Sequence, residues 1–334
     1  MRKIQSKKPY QNSYNSAADF YGLSSELFLK GIREGSLNIN YVKNNGQNAL
    51  WYSNLKETEL LIDKGIDINH INNDGENALF SDSNLTTAKT HLLMKSGINI
   101  NHTNQIGRSA LFERNKEITE ILFNHGIDIN IIDDFGANAL FATELKSALF
   151  LVEKGIDLTI KDKLNRTIYF YIEDQVLFKK IDERKVVDIN HIDNNYETPL
   201  FYNRHLIYFF VEAGMNINYV NPIGRNALFY NSEVKELINS GINIHQKDID
   251  NENALFHQTF INCIYLIENG LSALTTNKEG VKYIDYTLNN ILHPDEKEKY
   301  KKMIISATEK YEKQSLNSIA DSSNNEDVRI KKRL

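Results

Sequence analysis

The sequence predicts an all-α repeat solenoid: a stack of about eight short helix-turn-helix units, joined by extended hairpins and closed at both ends by helical caps. Three observations predict it. A ten-residue block recurs without gaps, a residue able to cap a helix stands two positions after each block, and most units end in a pair of large apolar residues followed by glycine. Such units cannot bury an apolar face alone, so neighbours must stack.

The blocks occupy 37–46, 66–75, 98–107, 127–136, 156–165, 187–196, 215–224 and 242–251, with a degenerate ninth at 271–280. Their third residue is always aliphatic (Ile39, Ile68, Ile100, Ile129, Leu158, Ile189, Ile217, Ile244), which predicts a buried anchor. The tenth is Gly46, Gly75, Gly107, Gly136, Asn165, Tyr196, Gly224 or Asn251. Gly and Asn tolerate positive φ, so a tight turn ends each block, with Tyr196 the misfit.

Two residues later stand Asn48, Asn77, Ser109, Asn138, Thr167, Thr198, Asn226 and Asn253, side chains that cap the free N–H groups of a helix start. An apolar run follows, Ala-Leu-Phe in most units, Ala49-Leu50-Trp51 in the first and Pro199-Leu200-Phe201 in the sixth. The short spacing to the next helix predicts a first helix of barely two turns. The second helix carries pairs such as Leu61-Ile62, Leu122-Phe123 and Phe210-Val211. Gly65, Gly126 and Gly214 then stand four residues after the first member of each pair, as left-handed stops. The fifth unit departs: Thr159 replaces Asn, Ile168-Tyr169-Phe170 replaces Ala-Leu-Phe, and residues 179–185 replace the glycine stop. Two readings stay open there: a bend, loosened interface or functional insertion, and a drifted repeat that still packs.

These residues resemble the ankyrin repeat, whose pattern of Thr-Pro-Leu-His opening the first helix and Gly-aliphatic-Asp-aliphatic-Asn after the second is approached by Glu197-Thr198-Pro199-Leu200-Phe201 and Gly65-Ile66-Asp67-Ile68-Asn69. The resemblance covers roughly residues 24–290. It implies a concave face built from hairpin tips and first helices. The family's His is replaced here by Phe or Trp, which puts its hydrogen bonds between neighbouring loops in question.

At the ends, residues 1–13 read as disordered, 14–36 as a helical N-terminal cap with Leu27, Phe28 and Ile32, 37–292 as the array and 293–313 as a C-terminal helix with Met303, Ile304 and Ala307 inward. Residues 314–334 read as a polar, mobile tail.

The 334 residues are 41% apolar and 25% charged, enough for a core and too polar for a membrane protein. A single cysteine, Cys263, gives no disulfide and no Cys-rich zinc site. The basic, polar start lacks the apolar stretch of a signal peptide, so the expected location is the cytoplasm. Phosphate loops, nucleophile elbows, His-Glu-x-x-His and Cys-x-x-Cys are absent from the sequence, so catalytic, cofactor and metal residues are all expected to be none. His70, His102 and His191 repeat one block position and cannot converge on a single metal. Asp133-Asp134 and Asp248-Ile249-Asp250 lack the spacing of a calcium loop and read as hairpin-tip acids.

The candidate partner-binding residues are apolar ones near the tips, Ile106, Phe135, Leu164 and Ile223, with Tyr196 beside them and Ile249 in the eighth unit. Tyr52, Tyr171, Tyr202 and Tyr230 after the first-helix run join them, with Asp133, Asp134, Asp162 and Asp193 as a charged rim. Residues 37–293 hold 23 basic and 33 acidic side chains, net −10, which favours a basic protein partner and disfavours nucleic acid. The composition, rich in Asn, Ile, Lys and Tyr, resembles that of AT-rich bacterial genomes. With the standalone array, it makes the chain similar to bacterial ankyrin-repeat immunity proteins of polymorphic or type VI secretion systems. That resemblance implies a monomer that binds a cognate toxin domain and blocks its active site. The alternatives are a secreted effector or adaptor that engages a host protein, and an enzyme with a hidden site.

Overall fold

The computed structural model describes residues 23–81, 85–112, 114–290 and 294–331, with side chains as far as residue 316. The expected N-terminal disorder at 1–13 and the first part of the cap lie outside these residues. Contacts divide the chain into two compact bodies, Met1–Ile160 and Lys161–Leu334, and the division falls inside the fifth block. The regular elements among the described residues are helices, with no β-strand. In the N-terminal body α1 is Ser25–Arg33, α2 Leu55–Asp63, α3 Thr87–Lys95, α4 Lys116–Asn124 and α5 Leu145–Glu153. In the C-terminal body α6 is Gln175–Asp182, α7 Ile207–Glu212, α8 Val234–Asn239, α9 Phe260–Glu268, α10 Tyr283–Asn289 and α11 Pro294–Lys331. Within each body successive helices pack on their neighbours.

The expected two-turn first helix is a single 3-10 turn of three residues, as in Ala49–Trp51, Ala78–Phe80 and Pro199–Phe201. The next helix begins only a few residues on, and a nucleus that cannot propagate stays a 3-10 turn. Asn does two jobs in front of that turn. Asn48 Oδ1 accepts from Leu50 N at 3.0 Å while its Nδ2 donates to Asp67 O of the next hairpin at 3.2 Å. Asn77, Asn138 and Asn226 repeat both bonds. Thr167 and Thr198 make no such side-chain cap, so the uniform capping read from sequence holds for the Asn positions and, at 3.4 Å, for Ser109.

The glycine stops behave as expected: Gly65, Gly126 and Gly214 sit at φ 83°, 87° and 97°. The residue after each stop folds back, as when Ile66 N donates to Leu61 O at 3.0 Å. This corrects the expected anchor. The first block residue (Leu37, Ile66, Ile98, Ile127, Ile156, Met215, Ile242) is the buried one, because that backbone bond tucks it under its helix. Of the third residues in the eight blocks, only Leu158 is buried.

In the C-terminal body the irregular fifth repeat packs on the sixth. Tyr169, Phe178 and Phe210 form an aromatic cluster with centroids 4.9–5.9 Å apart, and Lys185 takes the left-handed φ of 52° in place of glycine. Burial pushes the Tyr169 phenol up, with Asp182 adding to it.

Each repeat interface also leaves carbonyls at the end of a 3-10 turn facing the next repeat. In the C-terminal body amides close them: Asn231 Nδ2 donates to Leu200 O at 2.9 Å and Asn203 O at 2.7 Å, and Gln258 Nε2 to Leu228 O and Asn231 O. In the N-terminal body Lys89, fully buried, donates from Nζ to Leu50 O at 2.6 Å and Ser53 O at 2.8 Å. Burial pushes its ammonium down to about 8, with Glu57 opposing the shift.

At the ends, α1 covers α2 through Phe28 and Ile32, while Leu27 is exposed. The C-terminal helix extends to Lys331, past its expected end near residue 313. It packs on α9 through Ile304 and Ala307, with Phe260 against Tyr300 and Lys310 Nζ donating to Glu268 at 2.6 Å. Met303, expected inward, is 37% exposed. No described helix is long and apolar enough to cross a membrane.

Candidate protein-interaction face

Positions are counted from the first residue of each block, 1–10 through the hairpin and 11–17 through the 3-10 turn and the residues after it. The hairpin tips are cross-linked by backbone. The N–H of position 8 donates to the position-9 carbonyl of the preceding repeat, as in Asn73 to Asn45, Gln105 to Asp74 and Asp134 to Ile106 in the N-terminal body. Asn194 to Leu164, Ile249 to Ile223 and Lys278 to Asp250 do the same in the C-terminal body, all at 2.7–3.0 Å. Position 8 of the seventh repeat is Pro222, which has no N–H to give.

The loop-to-loop bonds put in question by the Phe and Trp replacements come from position 5. His70, His102 and His191 each approach the position-10 carbonyl of the preceding hairpin at 2.6 Å, and Tyr219 and Gln246 do so at 2.9 Å. The histidines are braces between loops. Asn165, Tyr196 and Asn251 carry the positive φ at position 10, 59–61°. Asn165 and Asn251 repay the strain with an amide bond to the next hairpin.

Position 7 fixes the turn. Asp133 Oδ1 accepts from Phe135 N at 2.9 Å and Ala137 N at 3.0 Å, and Asp162, Asp193 and Asp248 repeat this geometry. The remaining oxygen of Asp133 takes Arg108 Nε at 3.0 Å, that of Asp193 takes Arg166 Nε at 3.0 Å, and that of Asp248 takes Arg225 Nε at 2.9 Å. Burial lowers the Arg166 pKa, but Asp193, Tyr171 and Tyr202 together outweigh that and hold the guanidinium above its ordinary value. Asp133 and Asp193 are buried, so these two are turn and ion-pair groups, where an exposed rim was expected. Asp134 is exposed and Asp162 half-buried.

This pairing was legible and was missed. Position 11 of one repeat and position 7 of the next read Arg108/Asp133, Arg166/Asp193 and Arg225/Asp248, against Gln47/Asn72, Glu76/Asn104, Glu197/Asn221 and Glu252/Asn277. Asp follows Arg and Asn follows Gln or Glu; Ala137/Asp162 is the exception. The signal appears only when neighbouring repeats are compared across columns.

The tyrosines at position 16 are half-exposed but engaged. Tyr171 donates to Asp162, and Tyr202 donates to Asp193 at 3.1 Å and to Glu197. Burial pushes the Tyr202 phenol up to about 12, with Glu197 next in effect. Arg166 lies 4.3 Å from the Tyr202 ring centre, and Tyr230 bonds to Arg225. These rings fasten their own hairpins.

The apolar tips differ. Ile106, Phe135, Leu164, Ile223, Ile249 and Tyr196 are exposed, Phe135 at 54%. Ile106 and Phe135 occupy position 9 of consecutive repeats in the N-terminal body. Leu164 and Ile223 belong to the C-terminal body, two repeats apart.

Asp248, Glu252 and His257 bring their ligand atoms within 4.8 Å of one another. Arg225 already supplies positive charge to Asp248 there, and His257 is held below its ordinary pKa, first by burial and then by Arg225. The Cys263 thiol is buried, donates to Leu255 O at 3.2 Å and is pushed up to about 11 by burial, the environment of an inert thiol. Neither a scan against protein-family models nor a search of curated proteins finds a match for the chain.

Proposed function

We propose that the chain is an ankyrin-type repeat array that works by binding another protein, as an immunity protein that covers the active site of a cognate bacterial toxin. The family part of this reading is supported by the unit anatomy: turn, α-helix, left-handed glycine and cross-linked hairpin, repeated in register. The observation that carries binding is the exposure of Ile106 and Phe135 on adjacent tips joined by the Asp134 to Ile106 backbone bond. Apolar side chains held out by a rigid ladder lose little entropy on docking, and the −10 net charge of residues 37–293 steers a basic partner toward them.

The test is to look for a toxin-domain gene beside its own and to co-express the two. Rescue of growth and co-purification are expected; neither occurring overturns the immunity reading. Phe135→Asp with Ile106→Asp is expected to weaken the complex at least a hundredfold, by titration calorimetry, with helical circular dichroism and melting unchanged. Loss of folding would instead show that these tips belong to the core.

A further inference from the structure

Two neighbouring repeats of the N-terminal body bring a pair of histidines together away from the hairpin tips. His91 lies in the middle of α3 and His125 is the residue that closes α4, and both side chains are exposed. Their backbones are held in place: α3 and α4 pack on each other, and the His125 N–H donates to Ile121 O at 3.1 Å and Leu122 O at 3.2 Å. Nδ1 of His91 and Nε2 of His125 stand 3.2 Å apart, with ring centres 5.4 Å apart and planes inclined at 61°, so the rings meet through nitrogen instead of stacking.

Stacking of the repeats does not ask for this pair. Counted back from the glycine stops, His91 shares its register with Glu59 and Glu120, and His125 shares its own with Lys64, Ser96 and Lys154. The flanking interfaces therefore carry Glu59 with Ser96 and Glu120 with Lys154 in these two registers. A hydrogen bond between two exposed neutral rings is worth only about 1 kcal/mol. What two imidazoles at this separation supply is a pair of nitrogen lone pairs for one metal ion. Nitrogens bonded at 2.0–2.1 Å stand about 3.3 Å apart around a tetrahedral ion and about 2.9 Å apart around an octahedral one, and the observed separation falls between these values. The C-terminal end of α4, where His125 stands, is also the end of a helix that favours a cation. Asp248, Glu252 and His257 do not offer the same opening, because Arg225 already lies 2.8 Å from Asp248.

We propose that His91 and His125 are the protein ligands of one divalent transition ion of the imidazole-preferring class, zinc, nickel or copper, with water in its remaining positions. Binding exchanges two of the ion's waters for the two ring lone pairs. The ring that donates in the hydrogen bond moves its proton to its other nitrogen, so no proton is lost. The ion then staples α3 to α4, one repeat to the next within the N-terminal body. This assignment does not rest on the protein-binding reading.

The untagged full chain, stripped with a chelator and dialysed at pH 7.5, is titrated with zinc chloride and nickel chloride by calorimetry and melted with and without each ion. One ion per chain at micromolar concentration is expected, with no response to magnesium, which prefers oxygen ligands. His91→Gln and His125→Gln are each expected to weaken zinc binding at least tenfold. His257→Gln is expected to leave it unchanged. Zinc at ten times its dissociation constant should raise the melting temperature of the wild-type chain by about 4 °C and that of neither ligand variant. His91→Glu with His125→Lys copies the register of Glu120 and Lys154, and stands in if a single variant does not fold. No binding of zinc or nickel, binding that survives either ligand variant, an equal response to magnesium, or loss of the site in His257→Gln overturns the assignment.

Discussion

The two bodies are built from one repeat but fill its demands differently. In the C-terminal body the position-16 column is aromatic throughout, and the turn-end carbonyls after Leu200 and Leu228 are closed by neutral amides. In the N-terminal body the same column holds Tyr52, Ser81 and Ala142, and the carbonyls of Leu50 and Ser53 are closed by a buried ammonium. The backbone sets the requirement: a ring platform to cover and two acceptors to satisfy. The side chain that meets it decides whether a ring or a smaller group stands beside the platform and whether burial carries a charge.

The sharpest way to break the comparison is at the C-terminal body's ion-pair column. Asp193 accepts from two backbone N–H groups, Arg166 and Tyr202. Asp193→Ala leaves these donors unmatched in a buried place and is expected to cost about 4 kcal/mol, measured by urea unfolding. Asp193→Asn keeps the turn and should cost less than half of that.

Alkaline pH should separate the bodies next. Lys89 has its folded pKa lowered to about 8 from 10.5, so the unfolded chain binds more protons between those values and stability rises with pH across that window. The gain is about 3 kcal/mol at most, a limit set by the fall from 10.5 to about 8. Lys89→Gln should flatten this slope. Tyr169 and Tyr202 have the opposite sign: their folded values are raised, so the stability they contribute is full below pH 10 and is lost as pH rises above it. Trp51 fluorescence, which reports the N-terminal body, should therefore persist at alkaline pH after tyrosinate absorbance at 295 nm has begun to rise.

Tyr202→Ser removes one ring from the position-16 column of the C-terminal body. It uncovers Phe170 and removes a donor to Asp193, with an expected loss of about 2 kcal/mol in thermal unfolding. The smallest effect is expected at Tyr196, which holds φ 59° where other repeats use Gly or Asn. Tyr196→Asn should relieve that strain and raise stability by about 0.5 kcal/mol, since the carbonyl that Tyr219 bonds to is retained.

Much of the repeat was legible. The glycine stops, the Asn caps, the Ala-Leu pairs that enter the core and the exposure of Ile106, Phe135, Leu164 and Ile223 all follow from residue type at a fixed register. The first helix was overestimated because hydrophobic pattern does not show how little chain remains for propagation. The rim was misread because a carboxylate in a turn looks the same in sequence whether solvent or an arginine of the neighbouring repeat takes its second oxygen. Asp133 and Asp193 are of the second kind.

By itself the sequence determined the unit: where each turn, helix and hairpin starts and stops. Those are local decisions, made by φ preference, capping chemistry and the spacing of apolar residues within one repeat. Only the tertiary structure decided which partner each side chain finds in the next repeat. It made braces of His70 and His102 and a neutralised turn of Asp133, and it turned the Ser81 hydroxyl onto the Trp51 carbonyl. Contacts between repeats join residues 24 to 30 positions apart, and their energies depend on the distance and orientation that stacking imposes.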